Sequence, residues 1–378
     1  MVLLLSIVTA SAWACLLLAR GRFWASAAQP DAPPPARWPE VVAIVPARNE
    51  AICLGASLNS LLGQDYPGAF AVIVVDDDST DGTGDIAAAA ARGALRPLTL
   101  VSSAGPPPGW TGKLWALNQG LAAAPASAKY VLFTDADIVH APDSVATLVA
   151  RAEQHGLVLT SLMAKLRCES LAERLHVPAF IYFFQMLLPF AWVRRPEART
   201  AAAAGGCMLV SRAALDAAGG LAAIRNALID DCALAGRLKA TGPIWLDLTH
   251  RVASIRSYPR FADVRRMIAR SAYAQLRYSP WLLLGTAAGM AVTFMAPPLL
   301  LIFANGPARW LGGAAWLAMA ASFVPTLRFY RLSLLWAPAL PAIAALYLFY
   351  TFESAYRHAR GEGGLWKGRA HVPVARRP

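Results

Sequence analysis

The stretch Tyr-Val-Leu-Phe-Thr-Asp-Ala-Asp-Ile at residues 130–138 combines an apolar run with two carboxylates. The run at residues 130–133 predicts a buried strand, and Asp135 and Asp137 follow it, separated by one small residue. Ligands of open α/β sheets bind at the carboxyl edge of the strands, where the strand order reverses. Two carboxylates there repel each other unless a cation lies between them, commonly Mg²⁺ or Mn²⁺ with a phosphate. An Asp-rich turn is the alternative, and this motif alone does not decide.

Strand and helix patterns alternate around this stretch. The predicted strands are residues 41–45, 71–75, 98–101 and 130–133. Helices are predicted at residues 52–62 and 113–123. A further helix is predicted between the second and third strands, with Thr80 or Asp81 as its cap and its end at residue 91. Such alternation is typical of an α/β fold with a doubly wound, mainly parallel sheet. Polar clusters follow three of the strands, so we expect them to meet at one edge.

Composition favours a membrane-associated protein. The chain is 57% hydrophobic, which is high for a soluble protein, and its net charge of +12 suits an anionic surface. Nucleic acid and the cytoplasmic face of a membrane both offer such a surface. The long apolar segments favour the membrane, and no nucleic-acid partner is expected. The 5 cysteines lack Cys-x-x-Cys spacing, which indicates reduced thiols rather than disulfides or a zinc site.

Residues 1–20 predict an N-terminal transmembrane helix. The segment is apolar and uncharged up to residue 19, and Arg20 and Arg22 follow it. A cleaved signal peptide would carry its basic residues before the apolar core. By the positive-inside rule, the N-terminus lies outside and the following domain is cytoplasmic. Residues 21–39, rich in Pro and Ala, form a linker.

Residues 280–353 predict a C-terminal transmembrane region. Its apolar stretches are residues 281–304, 310–327 and 332–352. The Arg-rich residues 256–279 predict an interfacial helix facing anionic headgroups. Three spans would place the basic tail, residues 354–378, outside, whereas its charges favour the inside. A re-entrant hairpin, broken at prolines 297 and 298 or 338 and 341, would resolve the conflict, and we expect the tail inside.

Several motifs, in this order and spacing, resemble family 2 glycosyltransferases with a GT-A fold. They are Pro46-x-x-Asn-Glu50, Val-Val-Asp-Asp-Asp-Ser-Thr-Asp-Gly-Thr at residues 74–83, and Asp135-x-Asp137. The resemblance predicts a cytoplasmic catalytic domain at residues 40–255. Within the family, Gly-Trp-Thr-Gly-Lys at residues 109–113 and Trp-Lys-Gly-Arg at residues 366–369 resemble the membrane-bound, lipid-directed branch. The whole pattern is most similar to the bacterial hopene-associated glycosyltransferases of the inner membrane.

The resemblance implies a nucleotide-sugar donor, with a UDP-sugar as the expected form. Asp77 would hydrogen-bond the uracil ring, and Pro46, Arg48 and Glu50 would line the same pocket. Lys113 follows a glycine at a predicted helix start, and an ammonium there suits a diphosphate. The alternatives are a helix-initiating turn for Asp77 and a solvated surface lysine for Lys113.

The resemblance also implies a divalent cation, Mg²⁺ or Mn²⁺. Asp137 would bind the metal that bridges the phosphates, and Asp135 would lie beside it on the ribose or the metal. The cation would offset charge on the departing nucleoside diphosphate. Waters and phosphates would complete its octahedral coordination.

Asp230 and Asp231 occupy the place of the family's Glu-Asp pair, in which the Asp is the catalytic base. Asp231 would accept the proton of the acceptor hydroxyl as its oxygen attacks the anomeric carbon. Repulsion between the two neighbouring carboxylates raises the pKa of one of them. The alternative role of Asp230 and Asp231 is to cap a helix. A single displacement with one base implies inversion. Gly206, in a Gly-Gly turn before a predicted strand, would lie near the acceptor.

The acceptor implied by the resemblance is a membrane lipid related to hopanoids. Processive relatives carry Gln-x-x-Arg-Trp, whereas this chain has Gln-Leu-Arg-Tyr at residues 275–278, which favours addition of one sugar. Arg270 or Arg277 is a weaker candidate for the diphosphate. Another lipid acceptor (polyprenyl phosphate, ceramide or diacylglycerol) and a non-catalytic scaffold are the alternatives. The apolar residues 177–193 predict either a membrane-surface segment or a buried core helix.

Overall fold

A computed structural model describes residues 1–25 and 29–361, which form two compact units. The helical unit comprises residues 1–25, 168–191 and 258–361, and the sheet unit comprises residues 29–167 and 192–257. The Trp-Lys-Gly-Arg motif at residues 366–369, and with it most of the predicted basic tail, lies outside the described residues.

The sheet unit contains an eight-stranded mixed sheet in the order β3-β2-β1-β4-β7-β6-β8-β5. The strands are β1 Val41–Ala47, β2 Phe70–Asp76, β3 Leu98–Ser102, β4 Tyr130–Thr134, β5 Ile138–His140, β6 Leu159–Lys165, β7 Cys207–Ser211 and β8 Ile244–Ser254. Strand β1 is parallel to both of its neighbours, β2 and β4. The strand order therefore reverses at β1, and the carboxyl ends of these three strands share one edge. The predicted α/β sheet is confirmed, with antiparallel pairs β4–β7, β6–β7 and β5–β8 added.

The α-helices of the sheet unit are Ala51–Leu62, Thr83–Gly93, Gly112–Ala123, Ser144–His155, Arg212–Ala217 and Asp230–Leu238, and Leu221–Ile224 is a 3-10 helix. The short helix Phe190–Val193 contains the boundary between the two units in the sequence. All residues of β1 are buried, as expected for a strand covered on both faces. A Cβ atom on Gly120 would lie 2.4 Å from Ile44 Cγ2, so this glycine lets its helix pack directly on β1. That packing fixes the position of Lys113 in the first turn of the same helix.

Two predicted helix starts differ from the structure. The helix after β2 begins at Thr83, and its N-cap is Gly82 in the left-handed region (φ 90°) without a side-chain cap. The N-cap residue is therefore Gly82 and neither Thr80 nor Asp81, although Asp81 Oδ1 accepts a hydrogen bond from Thr83 N at 3.1 Å. The helix Asp230–Leu238 begins earlier than a helix capped by Asp230 and Asp231 would, because both acids lie in its first turn.

The helical unit contains four helices that are long and apolar enough to cross a membrane. These helices are Val2–Ala19, Pro280–Phe303, Gly306–Phe329 and Leu334–Ala359. A π-helical turn, Ala291–Met295, interrupts the second of them, and the helix continues through the prolines at 297 and 298 without a re-entrant break. Which side the tail occupies stays a prediction.

Side chains of the first helix bind the backbone of this π-helical turn. Trp13 Nε1 donates to the carbonyl of Thr293 at 2.7 Å, and Thr9 Oγ1 donates to that of Val292 at 3.1 Å. A π-helical turn leaves backbone groups without their usual i−4 partners. The first helix supplies these partners, so it is an integral part of the helical unit.

Helix Leu171–Leu187 covers most of residues 177–193, the apolar segment predicted to be either a membrane-surface segment or a buried core helix. Its Ile181 and Tyr182 are fully buried, and Tyr182 Oη lies 2.7 Å from Ser322 Oγ within the helical unit. This burial favours the core helix over the membrane-surface segment. Residues 256–279 do not form one helix, because they contain the two helices Phe261–Ala269 and Ala272–Gln275.

Candidate functional site

Two loops at the carboxyl edge of the sheet, residues 48–51 after β1 and 77–83 after β2, are joined by hydrogen bonds. The bonds run from Asn49 N to Ser79 Oγ (3.0 Å), from Glu50 N to Thr83 Oγ1 (2.8 Å), from Ala51 N to Asp81 Oδ2 (3.0 Å) and from Thr80 N to Asn49 Oδ1 (2.9 Å). The side chains of the second loop thus satisfy the backbone donors at the start of helix Ala51–Leu62. The polar clusters that the sequence placed after β1 and β2 lie side by side.

Arg48 and Asp77 face each other between these loops. Arg48 Nη1 donates to the carbonyl oxygens of Asp77 and Asp78 and lies 3.7 Å from Asp77 Oδ2. The Asp77 side chain is fully buried, and Asp81 rather than Asp77 accepts the hydrogen bond from Thr83 N. Asp77 therefore does not serve the helix start that was its alternative role.

Pro46 lies inside β1, opposite Val75, and is buried. The strand continues to Ala47, so this proline does not end it. Only Ala47 separates Pro46 from the loop that carries Arg48 and Glu50.

Lys113 lies between two carboxylates from distant parts of the chain. Its Nζ is 3.0 Å from Asp135 Oδ1 and 3.1 Å from Asp230 Oδ2. Burial by itself lowers the pKa of Lys113, but Asp135 and Asp230 together raise it above its ordinary value. Burial also raises the pKa of Asp135, although Lys113 opposes this effect. Lys113 is therefore a charged member of this cluster and not a solvated surface lysine.

Asp231 is held by two backbone donors next to this cluster. Gly205 N donates to Asp231 Oδ2 at 2.9 Å, and Cys232 N donates to Asp231 Oδ1 at 2.7 Å. Burial, and then the neighbouring charge of Asp230, raise the pKa of Asp231 to about 6. The N-cap of this helix is Ile229, so neither acid is its N-cap residue. A carboxylate with such a pKa suits a general base working near neutrality.

Gly205 and Gly206 form a turn that approaches both charged groups. A Cβ atom on Gly205 would lie 3.2 Å from Lys113 Nζ and 3.4 Å from Asp231 Oδ2. A Cβ atom on Gly206 would lie 3.0 Å from Ile138 Cδ1. The absence of side chains lets this turn lie directly against the acidic cluster.

Asp137 is linked to Glu50 through Arg256, which sequence reasoning missed as a site residue. Asp137 Oδ2 accepts hydrogen bonds from Ser254 Oγ at 2.8 Å and from Arg256 Nε at 3.1 Å. Arg256 Nη2 lies 2.7 Å from both carboxylate oxygens of Glu50. The expectation that Arg256 faces lipid headgroups does not fit these contacts. The signal that could have found it is its position just after a strand end at the same edge as Asp137.

The donor chemistry of Asp135 and Asp137 fits Mg²⁺ or Mn²⁺. Within the described ranges 1–25 and 29–361, no group of three or more His, Cys, Asp or Glu residues is placed to hold a metal ion. Mg²⁺ is commonly bound by one or two carboxylates, with substrate phosphates and water as its other ligands. The two carboxylates could therefore hold the cation together with a phosphate ligand. Arg270 and Arg277 belong to the helical unit, and their role towards a diphosphate stays a prediction.

The part of the chain that contains this edge of the sheet is similar to a known protein family. Residues 42–219 match the family model described as "Glycosyl transferase family 2". This stretch, a little under half of the chain, is similar to family 2 glycosyltransferases. The predicted enzyme class, a glycosyltransferase of EC 2.4, is confirmed. No protein with a curated description matches the glycosyltransferase.

Two solved structures are similar to this chain to different degrees. The mannosyltransferase PcManGT from Pyrobaculum calidifontis, in complex with GDP-Man and Mn²⁺, has a TM-score of 0.57 and 22% identity, and the match covers 95% of this chain and 99% of that chain. Glucosyl-3-phosphoglycerate synthase from Mycobacterium tuberculosis, in complex with Mg²⁺ and UDP, has a TM-score of 0.41 and 22% identity over 63% of this chain and 79% of that chain. The likeness to the mannosyltransferase shows that the mixed sheet is of the GT-A type.

Proposed function

We propose that this glycosyltransferase is an inverting, metal-dependent enzyme that moves one sugar from a nucleotide donor to a membrane lipid. The observation that carries the proposal is the position of Asp231. This carboxylate lies beside Lys113 and Asp230 at the switch point of the sheet, and its pKa is raised to about 6. Single-displacement transfer requires one base of suitable pKa and a positive charge that can bind the diphosphate. Asp231 and the ammonium group of Lys113 meet these two requirements.

The loops after β1 and β2 would bind the nucleoside. Asp77 offers a buried carboxylate to the base, most simply the uracil of a UDP-sugar, and Arg48 holds the loop in place. Lys113 would bind the diphosphate as a compact charge. Asp137, with Asp135, would hold a divalent cation, which supplies electrostatic stabilisation of the leaving diphosphate when bound.

Asp231 would work on the acceptor side. Its Oδ atom accepts the proton of the acceptor hydroxyl while that oxygen forms a bond to the anomeric carbon. The bond from the anomeric carbon to the phosphate oxygen breaks in the same step, and the electron pair leaves with the nucleoside diphosphate. Attack opposite to the leaving group inverts the configuration of the anomeric carbon.

The four apolar helices support a lipid acceptor and a place in the inner membrane, with the catalytic domain on the cytoplasmic side. A hopanoid-related lipid is the acceptor that we propose, on the resemblance of the whole sequence pattern. A ceramide, a diacylglycerol or a polyprenyl phosphate is the second candidate, since the same base would serve the hydroxyl of the first two, while an ionised phosphate oxygen would attack without transferring a proton. A non-catalytic scaffold is disfavoured, because a scaffold has no need to hold carboxylates close together around Lys113.

The test is release of the nucleoside diphosphate by the purified full chain with a panel of nucleotide sugars and separate lipid classes. Wild type should release it with one donor and one lipid class, and Asp231→Asn should lower kcat by a factor of about 10²–10⁴. Asp216→Asn, which alters an exposed carboxylate paired with Arg212, is the matched control and should leave kcat unchanged. Equal turnover by wild type and Asp231→Asn would exclude Asp231 as the base, and retained anomeric configuration in the product would exclude inversion.

A further inference from the structure

A buried hydroxyl and a buried imidazole lie behind the Gly205–Gly206 turn. Thr134 is the last residue of β4, and its Oγ1 donates to the carbonyl of Gly206 at 2.8 Å. The same Oγ1 lies 2.9 Å from His140 Nε2. Because the single hydroxyl proton is directed to Gly206, the imidazole must be the donor in the second bond. His140 is therefore the tautomer with its proton on Nε2.

This tautomer leaves the other nitrogen of His140 without a partner. Among residues 1–25 and 29–361, no group makes a hydrogen bond to His140 Nδ1, and the side chain is 3% exposed. Burial lowers the pKa of His140 to about 4, so the ring is neutral. A buried polar atom without a partner costs free energy, and an apolar side chain would avoid that cost. The hydrogen bond to Thr134 is what an apolar residue could not supply.

A second buried hydroxyl holds the same turn from the other side. Ser161 Oγ accepts from Ala204 N at 2.9 Å and donates to the carbonyl of Cys207 at 2.9 Å. The turn itself is closed by a bond from Cys207 N to the carbonyl of Ala204 at 3.1 Å. The two hydroxyls, of Ser161 and Thr134, thus fix the backbone on both sides of Gly205. Gly205 N is the donor to Asp231 Oδ2.

We propose that Thr134 and His140 are positioning residues that set the place and basicity of Asp231 through the Gly205–Gly206 turn. The proposal rests on the proposed function, in which Asp231 is the base. Neither side chain touches Asp231, and their effect is transmitted by the carbonyl of Gly206 and the amide of Gly205. Loss of the Thr134 hydroxyl loosens the turn and weakens the hydrogen bond that Gly205 N donates to Asp231 Oδ2. Because that bond stabilises the charged carboxylate, its loss raises the pKa of Asp231.

The experiment compares Thr134→Val with Thr160→Val in the full-length protein. Thr160 is a matched control, since it is a buried threonine on β6 whose hydroxyl has no hydrogen-bond partner among the described residues. Two quantities are measured, namely the pKa of the Asp231 carboxyl by ¹³C NMR (assigned with Asp231→Asn) and kcat at saturating substrates. Binding of UDP and thermal unfolding are followed in parallel.

Thr134→Val should raise the pKa of Asp231 and lower kcat roughly tenfold to a hundredfold, with UDP affinity unchanged. Thr134→Ser should restore both quantities, and Thr160→Val should change neither. The proposal is overturned if Thr134→Val and Thr160→Val give the same pKa and kcat, or if kcat falls only in parallel with UDP affinity.

His140 provides an independent arm if Thr134→Val does not fold. His140→Met removes the donor and should raise the pKa of Asp231, whereas His140→Gln keeps a donor of similar reach and should restore it. Unchanged pKa values in both variants would overturn the proposal. If wild type shows no transfer with any donor and lipid, the proposed function fails. The NMR titration still decides whether Thr134 and His140 act on Asp231.

Discussion

Lowering the pH from 7 to 5 should reduce transfer through protonation of Asp231. Burial and the neighbouring Asp230 raise the pKa of this carboxyl to about 6. Only the carboxylate can accept a proton, so the competent fraction is about nine-tenths at pH 7 and about one-tenth at pH 5. Below this range, kcat/KM should fall about tenfold for each further pH unit. An ordinary exposed Asp, with a pKa of about 3.9, would remain ionised throughout.

The assay is the initial rate of nucleoside diphosphate release as a function of pH, for wild type and for Asp230→Asn. The substitution removes the negative charge of Asp230. This charge lies next to Asp231, and it is also one of the two carboxylates that pair with Lys113. Both changes lower the pKa of Asp231, so the acidic limb of the profile should move to lower pH. Thermal unfolding at each pH separates loss of catalysis from loss of fold. A wild-type profile that stays flat between pH 7 and pH 5, or a limb that Asp230→Asn moves upward, would refute the reasoning.

Three further predictions concern the same edge of the sheet. Gly205→Ala places a methyl group 3.2 Å from Lys113 Nζ, so kcat should fall about 10- to 100-fold, whereas Gly236→Ala, in open space, should leave it unchanged. Arg256→Gln removes the guanidinium that pairs with Glu50 and Asp137 and should lower the free energy of unfolding by about 1–3 kcal/mol in urea titrations. EDTA should stop transfer, and Asp137→Asn should raise the Mn²⁺ concentration that restores it, while equal Mn²⁺ requirements would contradict metal binding by Asp137.

Local pattern was sufficient to predict the parallel core of the sheet. The buried run Val41–Ala47 is continuous because both of its faces are covered, and this pattern is readable without knowledge of the neighbours. The loops that follow β1, β2 and β4 meet because the carboxyl ends of parallel strands share an edge. Antiparallel β7 was less predictable, since the carboxyl end of β4 pairs with the beginning of β7 more than 70 residues later. Only the Gly-Gly turn before it gave a local signal.

Contacts between distant residues account for what the sequence did not reveal. Arg256 follows Ser254 in an Arg-rich segment, and its composition alone suggested lipid headgroups. Its actual partners, Glu50 and Asp137, are reached because β8 ends at the edge where β1 and β4 end. The Thr134–His140 pair was hidden for a similar reason, because the hydrogen bond that links it to the site, from Thr134 Oγ1 to the carbonyl of Gly206, joins residues that are 72 positions apart in the sequence.

The charges at this edge explain why a cation would be needed together with the donor. Lys113 is shared by Asp135 and Asp230, with Asp231 beside them, and Arg256 is shared by Glu50 and Asp137. Negative side chains therefore exceed positive ones before any phosphate arrives. A diphosphate that enters without a countercharge would be repelled at short range, and low solvent exposure strengthens that repulsion. A divalent cation held by Asp135 and Asp137 would remove this barrier, and it would leave Lys113 to neutralise the charge that develops as the diphosphate departs. On this argument, UDP should bind more weakly without Mg²⁺ or Mn²⁺, and the Asp137→Asn variant should lose most of the gain that the cation gives to UDP affinity.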